Sequence, residues 1–179
     1  MLHYVLVDDQ GSDIALTRSL FESAFPEDER PPFDLMMAWP HTGLYGVYRG
    51  EEFVGLVDVL EYKDIVYLFF LAVEEKKRNQ GIGQQILTDL KQRYAGKRLF
   101  LLCDEVGEQY PDLPLRKRRA GFYERNGFHD NGIRVREYGV IYQMMVYAGP
   151  ISVEDFVSVM ASLIGEDAAK EFYKDVKVD

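Results

Sequence analysis

The sequence predicts a mixed α/β (α+β) fold built on one main sheet with helices against it. Three observations predict it. Apolar runs of strand length follow one another through residues 44–73, separated only by tight polar breaks. Apolar residues recur at helical spacing in 14–21, 82–94 and 156–163. The 179 residues suit one domain with a substantial core.

Residues 2–7 read as a short strand. Ser12 is placed to cap a helix running to about residue 25, with Ile14, Leu16, Leu20 and Phe21 on its apolar side. Pro26, Pro31 and Pro32 break the chain, and a second short helix follows through Trp39. Residues 44–49, 52–61 and 65–73 form three strands in succession. Arg49-Gly50-Glu51 and Tyr62-Lys63-Asp64 connect them tightly, so the pairing is antiparallel. The run 65–73 does not alternate, which predicts burial of both its faces.

Residues 81–95 give the clearest helix, with Ile82, Ile86, Leu87, Leu90 and Tyr94 in one stripe and Gly96 to end it. A strand over 99–103, a helix over 116–126 closed by Gly127, and a hairpin over 133–137 and 140–147 follow. Beyond Gly149-Pro150, Phe156, Val159, Met160 and Leu163 sit at helical spacing, with Ser152 to cap and Glu154 and Asp155 in the first turn. The chain therefore divides into a main domain, 1–149, and a helical extension, 150–179. A short helix is marginal alone, so this stripe packs either on its own domain or on a second subunit of a homodimer.

Composition excludes several classes. The net charge of −9 opposes non-specific nucleic-acid binding, which needs a positive surface. No apolar run approaches the ~20 residues of a membrane span, and the start of the chain lacks a secretory pattern. A single cysteine, Cys103, permits no internal disulfide and fits a cytoplasmic home. Within an apolar strand it reads as a small hydrophobe. His3, His41 and His129 show no ligand spacing, so no metal is expected.

Against that acidic background, Lys76, Lys77 and Arg78 stand just before a helix start. A helix N-terminus offers free N–H groups and about half a positive charge, so cations there are unfavourable unless an anion binds. Gly81 and Gly83 clear side chains from that spot. A pyrophosphate meets these conditions; a solvated basic loop is the plainer alternative. A dinucleotide fingerprint fits poorly, because Ile86 takes the third glycine's place and residues 74–80 separate strand from glycines.

The run Arg78-Asn79-Gln80-Gly81-Ile82-Gly83, following Leu71-Ala72-Val73, resembles the pyrophosphate motif of the GNAT superfamily of N-acetyltransferases. Phe122-Tyr123-Glu124-Arg125-Asn126-Gly127-Phe128 is similar to that family's second signature helix. The resemblance covers roughly residues 1–147 and implies a mostly antiparallel sheet that splays open after the fourth strand. It implies acetyl-CoA as cosubstrate. Backbone groups of Leu71, Ala72 and Val73 would bond its pantetheine arm, and Lys77, Arg78, Asn79, Gln80, Gly81, Ile82 and Gly83 would hold its pyrophosphate. A primary amine, on a small molecule or peptide, would attack the thioester directly, and Tyr123 would give its proton to the departing thiolate. A binding module that holds acyl-CoA without turnover is the alternative.

The pattern departs from the family at two places. Tyr67 stands where a fourth-strand glutamate often serves as general base. Glu105, just after the fifth strand, is the preferred substitute, with Asp104, Asp58 and the acids Glu27, Asp28 and Glu29 as others; a water chain is a further route. Arg116 replaces an asparagine common at the helix start. The run Arg116–Arg119 reads as a solvated basic face or a contact for the coenzyme's adenosine phosphate. Trp39 either lines the acceptor pocket or anchors the second helix.

Overall fold

The computed structural model describes residues 1–8, 11, 13–40 and 42–178, with the side chain of Thr42 excepted. The cap expected at Ser12, and His41, lie outside the described residues. The strands are β1 (Leu2–Leu6), β2 (Thr42–Arg49), β3 (Glu52–Tyr62), β4 (Ile65–Val73), β5 (Arg98–Asp104), β6 (His129–Glu137), β7 (Val140–Tyr147) and β8 (Lys177–Val178). The helices are α1 (Asp13–Ala24), α2 (Phe33–Met37), α3 (Ile82–Arg93), α4 (Leu113–Arg125), α5 (Val153–Ile164) and α6 (Glu166–Phe172).

The strands make one sheet in the order β1-β2-β3-β4-β5-β7-β6-β8. Pairing is antiparallel between β1 and β2, β2 and β3, β5 and β7, β6 and β7, and β6 and β8. The β4–β5 ladder is parallel and covers only Ile65–Tyr67 with Arg98–Phe100. The sheet is therefore open and mostly antiparallel, as the resemblance implied. The chain falls into two compact units, 1–61 with 68–95, and 62–67 with 96–179.

In the first unit, α1 and α2 bury Leu20, Phe21, Phe33 and Met36 with Leu44, Leu56, Phe70 and Ala72 of the sheet. The inward residues of α1 differ from expectation. Leu16 is 47% exposed and Thr17 is buried in its stead. The whole expected stripe of α3, Ile82 to Tyr94, is buried. The Tyr4 hydroxyl donates to Asp89 at 2.7 Å and fixes α3 to β1. Burial of β4 is incomplete at its far end: Phe69, Leu71 and Val73 are half-buried, while Phe70 and Ala72 are buried. The end of that strand alternates after all.

In the second unit, Arg98 clamps the start of β5 to Asp64 at 2.9 Å and to Asp155 of α5 at 2.7 Å. The β6–β7 turn has Tyr138 and Gly139 at φ +49° and +81°, a pair of positive values suited to a two-residue hairpin. Helix α4 begins at Leu113, earlier than expected, because Pro114 sits in its first turn where its missing N–H is harmless. Ser152 and Asp155 form a reciprocal capping box at α5. Phe156 is wholly buried, its ring against Phe100 and Tyr173. The α5 stripe is covered by its own chain, so its burial needs no second subunit. The extension is not only helical: β8 closes it by pairing Lys177 and Val178 with Arg134 and Ile133.

Candidate active site

The first unit carries the basic loop. After β4 the chain makes one 3-10 turn, Glu75–Lys77, then turns into α3 through Asn79 at φ +61° and Gly81 at φ +77°. A Cβ on Gly81 would meet nothing within 4 Å, so glycine serves this position through its positive φ rather than through crowding. No side chain caps α3, and no acid stands in its first turn. Its leading N–H groups are thus left for an outside acceptor. The Arg78 Nε donates to Val73 O at 3.1 Å, and Gln80 Nε2 to Lys76 O at 3.1 Å, so the loop braces itself. Arg78, Asn79, Gln80 and Gly81 are all exposed to solvent, while Lys77 is half-buried. Lys77 is paired with Glu52 at 2.5 Å. Ile82 is 1% exposed, so its side chain anchors α3 and only its backbone faces the loop.

Beside the loop's own strand, β3 carries Asp58. Asp58 is fully buried, and neither carboxylate oxygen has a hydrogen-bond partner among the described residues. Burial pushes its carboxyl up to about 7, with the Val59 N–H pulling weakly the other way. The Thr17 hydroxyl is the other buried side-chain group without a partner among the described residues. Trp39 is half-buried, its ring 5.3 Å from that of Phe69. Glu27 and Asp28 are exposed in a turn before α2.

The second unit holds Tyr123 and Glu105. Tyr123 lies on α4, its ring against Phe122 and Phe128 at 5.2 and 6.1 Å. Burial, and then the nearby Cys103, push its phenol above the ordinary range, so it stays a neutral donor at physiological pH. Burial likewise pushes the Cys103 thiol up to about 12, which keeps it un-ionised and unreactive. Tyr67 is 2% exposed and stacked on Phe100 at 4.4 Å, a packing residue.

Glu105 is not the open base expected of it. One carboxylate oxygen accepts from Tyr110 at 2.7 Å and Gln109 at 3.4 Å; the other pairs with Arg134 at 3.3 Å. Arg116 is neither a solvated face nor free for a phosphate. It pairs with Asp112 at 2.7 Å, lies 3.9 Å over the Tyr110 ring and donates to Glu105 O at 3.2 Å. Arg119 pairs with Asp104. Of the run, Lys117, Arg118 and Arg119 are exposed and Arg116 is half-buried.

Residues 40–130 match the family model for an acetyltransferase (GNAT) domain. The chain belongs to the GNAT acetyltransferases. No curated protein matches its sequence. Among solved structures, a protein from Bacteroides thetaiotaomicron described as a GNAT-family acetyltransferase superposes with a TM-score of 0.72 at 16% identity, over 92% of this chain and 98% of that one. An aminoglycoside 6'-N-acetyltransferase complexed with coenzyme A gives 0.63 at 18% identity, over 81% and 96%. Arabidopsis thaliana Naa50, in complex with the bisubstrate analogue CoA-Ac-MVNAL, gives 0.59 at 17% identity, over 83% and 99%.

This GNAT protein keeps the loop expected from Leu71 to Gly83 within one unit, together with Asp58. Tyr123 and Glu105 lie in the other, where Tyr123 neighbours Cys103 and Glu105 belongs to the arginine network. Sequence reasoning names Asp58 but cannot fix its face. The register does so: Asp58 pairs with Leu44, and paired residues share a face. No group of three or more His, Cys, Asp or Glu side chains among the described residues is placed to hold a metal ion, and no described helix is long and apolar enough to cross a membrane.

Proposed function

We propose that this protein transfers the acetyl group of acetyl-CoA directly to a primary amine, in the cytoplasm. One observation carries the reading: two closely spaced positive-φ turns deliver a basic loop to the uncapped, acid-free N-terminus of α3. The pyrophosphate accepts from the first N–H groups of α3 and from the terminal amino groups of Arg78, whose Nε is already held by Val73. The half-buried backbone of Leu71 and Val73 takes the pantetheine arm. The amine nitrogen attacks the thioester carbon, the C–S bond breaks, and Tyr123 supplies the thiolate's proton. The aminoglycoside 6'-N-acetyltransferase among the solved relatives favours an amine acceptor.

Acetyl-CoA at a hundredfold over its Kd should stabilise the fold by about 2.7 kcal/mol, roughly 5–10 °C in Tm for a chain of this size. Gly83→Glu places a carboxylate among the amides that bind phosphate and should abolish the shift. An undiminished shift in the folded variant refutes the site. Tyr67 at the usual acid position favours a second reading, a regulatory module that binds acyl-CoA without turnover. Thiol release from acetyl-CoA with a panel of amines separates the two.

A further inference from the structure

We propose that Asp58 is the catalytic base for the acceptor: its carboxylate takes the ammonium proton of a primary amine that enters the α1–α2 face of the first unit on an aromatic or apolar body. This rests on the acetyl-transfer reading above and names its missing base and its acceptor class.

Three observations support it. First, the position. Asp58 pairs with Leu44, a member of the cluster formed by Phe21, Phe33, Met36 and Phe70, so its carboxylate enters that apolar layer. Its strand is the hydrogen-bonded neighbour of β4, the strand expected to hold the thioester arm. Val54, four residues back along β3, accepts the Glu74 N–H just past the end of β4. Asp58 therefore lies ~13 Å along the strand from the phosphate-loop end.

Second, the chemistry of an orphan. A buried carboxylate with no side-chain donor among the described residues is expensive, and a purely structural acid would be paired. Thr17 leaves a second unpartnered polar atom on this face: its Oγ1 lies 3.6 Å from where a Cβ on Gly46 would stand, and Gly46 shares its face of β2 with Leu44. An ammonium group, with three donors, satisfies a carboxylate and a hydroxyl together.

Third, the surroundings favour a cation on an apolar body. The cluster's rim is half-buried and aromatic: Phe25, Trp39 and Phe69. Its rings already take cations, with Arg18 4.4 Å over Phe33 and Arg30 5.3 Å over Phe21. The charged groups of the elements packed there are otherwise engaged. Arg18 binds Asp34 and Glu22, Arg30 donates to Phe25 O, and Asp13 accepts from the Tyr48 hydroxyl. None of them perturbs Asp58, whose raised carboxyl comes from burial and poises it near neutral pH.

The step balances. An ionised Asp58 oxygen takes one proton from R–NH3+, and the freed lone pair forms the N–C bond as the C–S bond breaks. The sulfur leaves as thiolate and gains the second proton, which the acylated nitrogen sheds, with Tyr123 as the donor to sulfur in the reading above. Asp58 later returns its own proton to water.

The test compares wild type with Asp58→Asn in the full chain. Tryptamine serves as the aromatic amine, spermidine as the polar one, and thiol release from acetyl-CoA is followed from pH 5.5 to 9. Expected are preferred turnover of tryptamine, an acid limb in kcat/KM near pH 7, and a fall in kcat of ~10²–10⁴-fold in Asp58→Asn with that limb gone. The Tm shift with acetyl-CoA should be equal in both proteins, which reports on the cofactor loop alone. A tryptamine-dependent Tm shift at pH 8, present in wild type and lost in Asp58→Asn, reads the acceptor site without turnover. Full turnover by Asp58→Asn overturns the base, and preference for spermidine overturns the acceptor class. Absence of both turnover and a tryptamine shift in wild type overturns the whole proposal. A lost acetyl-CoA shift in wild type overturns the transferase reading instead.

Discussion

The isolation of Asp58 has a consequence that needs no substrate. Its carboxyl sits at about 7 in the folded chain against an ordinary value of 3.8, chiefly through burial. Between those values the folded state holds a proton that the unfolded chain has released. Stability therefore falls as pH rises from about 4 to about 7 and is level above. The difference of roughly three pH units corresponds to about 4 kcal/mol at 1.36 kcal/mol per unit. Asp58→Asn cannot ionise and should lack this component. An unpaired buried amide has its own penalty of about 1–3 kcal/mol, but that penalty does not change with pH. Urea unfolding of both proteins at closely spaced pH values measures the effect. The gap between the curves should change by about 4 kcal/mol from pH 4 to 8, with the variant gaining on wild type. Curves that stay parallel within about 1 kcal/mol would show that Asp58 is solvated or paired, and both its orphan state and its poise as a base would go.

The other outcomes concern the remaining parts of the site and the tail. Tyr123→Phe keeps the ring contacts with Phe122 and Phe128 and removes the donor. It should lower kcat ~10²-fold, with the acetyl-CoA Tm shift unchanged; full activity where chemistry limits the rate reduces Tyr123 to packing. Phe156→Ala empties a fully buried site between Phe100 and Tyr173 and should cost about 3–5 kcal/mol in urea unfolding. A loss under about 1 kcal/mol would mean that α5 is not docked on its own chain.

What the sequence disclosed followed periodicity and turn chemistry. The bounds of strand 65–73 are legible because an apolar run between Asp64 and the charged segment from Glu74 has one reading. The stripe of α3 is complete because five apolar residues repeat at helical spacing before a glycine. The loop at Arg78–Gly83 is legible since glycines and cations are local signals. Misses came where tertiary context decides. Thr17 displaces Leu16 from the core although propensity favours the reverse. Helix α4 starts at Leu113 rather than at Arg116, with Pro114 in its first turn. A two-residue strand such as β8 has no period to detect. Glu105 looks available in the sequence because its position is visible there and its partners are not: Arg134 is 29 residues distant in sequence.

Glu105 and Asp58 show how environment separates two acids of similar intrinsic strength. Glu105 sits among donors: Arg134, Tyr110 and Gln109 all point at its oxygens. Taking a substrate proton there would mean breaking an ion pair and a hydrogen bond at every turnover. Its geometry suits a different task, since the same group of residues, with Arg116 on Asp112 and on Glu105 O, holds the loop 105–112 against the start of α4. That helix carries Tyr123, so in the proposed acetyl transfer Glu105 is a positioning residue rather than the base. Asp58 has the opposite surroundings. No side chain among the described residues donates to it, and burial weakens its charged form until proton uptake near neutral pH becomes easy. An approaching ammonium reverses that balance, because it supplies the missing donors and the compensating charge together. Binding the protonated amine is then favourable, and once the proton moves to Asp58 the pair becomes neutral in a medium that favours neutrality. The same desolvation that makes this carboxylate a liability to the folded chain makes it fit to generate a nucleophile.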